Sequence, residues 1–115
     1  VVEAAQRYLQ AKERYPVDSE VWAQATATAF EMLIQEACAE VAKPEWWNND
    51  GLKALSARVV RAAADDGQAN QMRALVLSGH CDVWEAGPRS AAELKEAATH
   101  YERAAALHPT PAGKA

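Results

Sequence analysis

Apolar residues recur along this chain at steps of three and four, the spacing that lines one face of an α-helix, and no stretch alternates in the two-residue period of a strand. Five helices follow from the pattern and its stops. The first covers about Val1 to Tyr15 and ends before Pro16, whose ring disfavours helical geometry in the preceding residue. Asp18 and Ser19 offer side-chain oxygens to the free amides of a second helix. That helix reaches about Ala42, with Trp22, Ala25, Ala29, Leu33, Ala37 and Val41 as one apolar stripe, and Pro44 closes it. Asn48, Asn49 and Asp50 are each able to cap a third helix, about Leu52 to Ala64, with Leu52, Leu55, Val59 and Ala62 on one face; Gly51 costs little so near a terminus. Asp65, Asp66 and Gly67 break the chain before a fourth helix, about Gln68 to Trp84, with Met72, Leu75, Val76 and Cys81 in register. Gly79 weakens its last turns by about 1 kcal/mol relative to alanine. After the turn at Gly87 and Pro88, Ser90 and Glu93 form a capping box for a fifth helix ending near Leu107. The pattern predicts one all-α domain over residues 1–109, about five helices packed as antiparallel hairpins, and a loose tail over 110–115.

One spacing occurs at both ends: Ala4, Tyr8, Ala11, Pro16, and again Ala97, Tyr101, Ala104, Pro109. The third helix keeps it in Leu55, Val59 and Ala62, with Gly67 at the place of the proline. This pattern, A-x3-Y-x2-A-x4-P, resembles the second helix of the tetratricopeptide repeat family. Trp22, six residues after Pro16, stands where that family opens the next repeat, and Met72 or Arg73 stands similarly after Gly67. The resemblance implies helices that bury their apolar faces on neighbouring units. Small residues there let helix axes approach to about 8–10 Å. Ala4, Leu55 and Ala97 lie farther apart than the about 34 residues of a standard repeat, and Thr26 and Ala29 replace the usual glycine and aromatic. The implied form is a divergent hairpin stack.

Charge and composition narrow the partners. A net charge of −4 leaves no basic surplus to displace the counterions of nucleic acid. No apolar run is long enough to span a bilayer, and no secretory signal precedes the first helix. The two cysteines, Cys38 and Cys81, lack a C-x-x-C neighbour, so they read as buried thiols and not as a disulfide framework or a zinc site. A cytoplasmic setting is expected.

Candidate chemistry is sparse. His80, Cys81 and Asp82 are consecutive, and neighbouring helical positions point about 100° apart, so they do not face one another as a catalytic set must. His100 lies four residues after Glu96, on one helix face, but Ala97 stands where the Glu-x-x-His spacing of di-iron bundles, ending at His100, requires glutamate. Arg58, Arg61, Asp65 and Asp66 read as solvated faces. No catalytic residue, metal ligand or cofactor is therefore expected. Trp46 and Trp47 either seal the end of the core or stand exposed as binding anchors.

The tetratricopeptide resemblance further implies a ligand groove lined by the first helix of each hairpin: Glu20, Ala23, Ala27, Phe30, Arg73, Leu77 and His80. The second helix has no lysine or arginine before Lys43, so the family's basic clamp for acidic tails is missing. Such a groove suits an amphipathic helix or apolar peptide. The expected function is non-catalytic protein–protein interaction, with homo-oligomers compatible. The alternatives are a fragment of a longer array with sticky ends and an engineered helical scaffold carrying a designed partner, metal or small-molecule site. The second alternative follows from a start without methionine, midway through a repeat.

Overall fold

The structure, a computed structural model, describes residues 2–35, 45–79 and 87–107. Among them are five α-helices and no strand: α1 (Val2–Arg14), α2 (Glu20–Gln35), α3 (Asn49–Ala62), α4 (Gly67–Ser78) and α5 (Ala91–Leu107). Each helix packs on the next in sequence, and α2 also packs on α4. Among the described residues the backbone of α1 packs on α2 alone and that of α5 on α4 alone, with α3 reaching α5 through the Lys53–Glu93 side-chain pair, so the helices form an open stack and not a closed bundle. Short turns over 15–19 and 63–66 make hairpins of α1/α2 and α3/α4. No helix among the described residues is long and apolar enough to cross a membrane.

Local signals set the helix ends. Pro16 stops α1, and its carbonyl accepts from the amide of Ser19. The Ser19 hydroxyl then caps α2 by accepting from the amide of Trp22 at 3.1 Å. Of the three candidates before α3, Asn48 is the cap; its Oδ1 accepts from the amide of Gly51 at 2.8 Å. Asp66 does not merely face solvent: its carboxylate caps α4, accepting from the amide of Ala69 at 2.9 Å. Gly79 does not sit inside the last turns of α4 but ends that helix at φ 66°, a left-handed conformation that costs glycine little. The Ser90–Glu93 capping box is complete in both directions, at 2.9 and 3.0 Å.

The core sits around α2. Phe30, Leu33, Leu52, Val59, Met72 and Val76 are fully buried. The expected stripe on α2 is buried as far as Leu33, while Ala37 and Val41 lie outside the described residues. Burial on α2 is wider than a stripe, because Ala23, Thr26, Ala27 and Phe30 are buried too. A helix packed by α1, α3 and α4 must be apolar or self-satisfied on most sides. Thr26 meets this by donating its hydroxyl to the carbonyl of Trp22 at 2.7 Å.

Small residues sit at the α4/α5 contact as the motif requires: Ala97 and Ala104 are buried, and Tyr101 is half-buried with its hydroxyl 3.2 Å from that of Ser78. In the matching motif of α1, Ala11 is half-buried; the side chains of Ala4 and Tyr8, and all of Pro109, lie outside the described residues.

Candidate functional site

A surface cleft of about 270 Å³ opens between α2 and α4. Ala27, Phe30, Met72 and Leu75 form its apolar floor, and Glu31, Asp66, Gln68 and Gln71 form a polar rim. The floor belongs to the core: Phe30 and Met72 are each 1% exposed, so Leu75, half-buried, presents most of the apolar surface. The rim is internally bonded. Gln68 Nε2 donates to Glu31 Oε2 at 2.8 Å. The Thr28 hydroxyl, 2.7 Å from Gln68 Oε1 and 2.9 Å from the Gln24 carbonyl, shares its single hydrogen between them. This chain joins α2 to α4 and holds the Glu31 carboxylate in one place.

The groove expected over Glu20, Ala23, Ala27, Phe30, Arg73, Leu77 and His80 is not one surface. Glu20 is exposed, whereas Ala23, Ala27, Phe30 and Leu77 are buried in the interior. Ala27 and Phe30 touch the cleft from beneath. Arg73 points away from it, donating to the Lys53 carbonyl at 2.8 Å and the Ser56 hydroxyl at 3.1 Å in α3, and to Glu96 at 3.2 Å in α5. On α4 the expected register takes the face that α3 and α5 cover. His80, with Cys38, Cys81 and Asp82, lies outside the described residues.

Neither tryptophan of the connector is an exposed anchor. Trp47 is buried, its ring centroid 5.5 Å from that of Phe30. Trp46 is half-buried at 5.8 Å from Trp47, and the Lys12 ammonium lies 5.6 Å from its ring. Lys12 and Arg58 also lie over Trp22, at 5.9 and 5.7 Å. Cation–aromatic contacts of this kind contribute about 0.5–1 kcal/mol at exposed sites. Burial lowers the pKa of Lys12, and nearby Arg58 acts in the same direction. The large apolar groups left on the surface include Tyr15, Val17 and Val21, around the α1–α2 turn.

His100 and Glu96 do meet, with Nε2 3.2 Å from Oε2, but inside a polar network that leads to other side chains. Asn70, fully buried on α4, donates both amide hydrogens to the carbonyls of Ala64 and Asp66, each at 2.9 Å. Its oxygen is left to accept from Nδ1 of His100 at 2.9 Å, which fixes the hydrogen on that nitrogen. The Glu96 pKa is lowered although burial opposes this, because Arg73 and His100 both bond its carboxylate. The links of Asn70 to His100 and of Ser56 to Arg73 carry no local sequence signal, since the partners lie 30 and 17 residues away. Among the described residues no three His, Cys, Asp or Glu side chains converge as a metal site would require. No family model matches the sequence, and no curated protein or solved structure is significantly similar to it.

Proposed function

We propose that this chain is a non-catalytic protein–protein interaction module, a divergent tetratricopeptide-like stack that holds a peptide or helix in the α2/α4 cleft. The observation that carries this reading is the cleft itself: an apolar floor framed by fixed polar groups, between two helices that alternate in the chain. In the tetratricopeptide reading α2 and α4 are the first helices of successive hairpins, and the sequential packing with its extra α2/α4 contact supports that order. A cytoplasmic setting goes with this reading, as two cysteines without a disulfide framework suit a reducing compartment.

The test is selection of a displayed random peptide library on the wild-type chain and on Gln71→Tyr. Gln71 is exposed at the rim, so a tyrosine there fills the cleft without removing a core side chain. Peptides enriched by the wild type and lost on Gln71→Tyr support the cleft; enrichment unchanged by the variant removes it.

A further inference from the structure

Charge on the cleft rim specifies the occupant further. Among the described residues of the lining, the two that ionise, Glu31 and Asp66, are both acids. Elsewhere Asp18 pairs with Arg58, Glu93 with Lys53, Glu96 with Arg73 and Asp65 with Arg103, whereas Glu20, Glu45 and Asp50 are exposed away from the cleft. Among the described residues neither Glu31 nor Asp66 belongs to an ion pair. Both carboxylates are held in place, Glu31 by the Gln68 amide and Asp66 by the Ala69 backbone. Fixed acids beside an apolar floor favour a ligand that brings its own cation, and side-chain entropy is lost on the ligand side alone.

We propose that the cleft takes a basic segment of a partner protein: one aliphatic side chain against Leu75, with a lysine or arginine beside it between Glu31 and Asp66. This rests on the docking reading above and adds the chemistry of the partner. It is the opposite polarity to a basic clamp for acidic tails. The chain as a whole, at −4, attracts such a segment on approach.

The experiment is a titration of the ¹⁵N-labelled chain with three capped hexapeptides, Ac-Gly-Leu-Lys-Leu-Lys-Gly-amide and its glutamate and glutamine counterparts. The side-chain amides of Gln68 and Gln71 report the cleft directly. The lysine peptide is expected to shift both signals and the glutamate peptide neither. The double variant Glu31→Gln, Asp66→Asn removes both charges while keeping the hydrogen-bond groups, because asparagine caps a helix about as well as aspartate. It is expected to weaken the lysine peptide about 2- to 30-fold, the sum of two exposed ion pairs. Backbone amide positions check that the variant keeps its fold. Equal shifts of Gln68 and Gln71 by all three peptides would overturn the charge assignment and leave the docking cleft standing. If no peptide moves those amides, or the lysine peptide moves signals elsewhere alone, the basic-segment proposal is overturned; failure of the library selection separately removes the docking reading.

Discussion

The Asn70 side-chain oxygen stands 2.9 Å from Nδ1 of His100, so a fully buried amide on α4 is bonded to α5 as well as to the turn before its own helix. Three hydrogen bonds converge on one side chain that water does not reach. Asn70→Ala leaves the Ala64 carbonyl and one nitrogen of His100 without that partner, while the Asp66 carbonyl still accepts from the backbone amide of residue 70 at 3.1 Å. Leaving buried polar groups unmatched costs about 1–3 kcal/mol. Urea unfolding should show that loss for Asn70→Ala, and a smaller one for His100→Ala, which leaves the two carbonyls bonded. Equal losses would place the main role of Asn70 in the α5 contact.

Gly51 departs from the ordinary helical glycine. Replacing glycine by alanine inside a helix usually gains about 0.5–1 kcal/mol. Here a Cβ would stand 2.5 Å from the backbone oxygen of Trp46 and 3.0 Å from its Cα. The chain curls over the start of α3 at this point, with the Asn48 amide donating to the Trp46 carbonyl at 2.9 Å. Backbone yields less than a side chain tip, so overpacking decides the sign. Gly51→Ala should destabilise by about 1–3 kcal/mol in thermal unfolding, and a rise in Tm would contradict the close approach.

What the chain declared in advance was what acts within a turn or two of helix. The Ser90–Glu93 box, the Pro16 stop and the pairing of Glu96 with His100 each involve partners within four residues, and each was readable. Gly51 read as harmless because its obstacle is a carbonyl folded back over it, and Asp18 read as a cap candidate because its Arg58 partner is 40 residues away. The groove residues went astray for a related reason. Periodicity places Phe30, Arg73 and Leu77 on helical faces, but which face stays open depends on how many helices surround each one. With α1, α3 and α4 around α2, Phe30 belongs to the core, and an Asp there would report lost folding and not lost binding.

Ala104 tests the small-residue motif. It is 7% exposed on α5, while Ala105 beside it is exposed. Leucine adds the same atoms at both positions and the same helix propensity, so the difference between them isolates packing. Ala104→Leu is expected to lose about 1–3 kcal/mol and Ala105→Leu to stay within about 0.5 kcal/mol of the wild type. Equal midpoints in urea would mean that α5 has room at Ala104 and that close helix approach is not what the alanine provides.

Glu93 gives the fold a dependence on acid. The Lys53 ammonium, 2.5 Å away, and the Ser90 amide hold its pKa at about 2, against an ordinary 4.5. The folded value is the lower one, so the unfolded chain binds the proton more readily. The contribution is fully present above about pH 4.5 and disappears as the pH falls toward about 2. Glu93→Gln keeps a side chain that reaches the Ser90 amide but carries no charge. The stability difference between wild type and Glu93→Gln, measured by urea unfolding at a series of pH values, should be constant near neutrality and shrink between pH 4.5 and 2. It should also shrink with added salt, because the pair is partly exposed and open to screening. A difference that persists unchanged at pH 2 would assign the role of Glu93 to packing at the start of α5 and not to its charge.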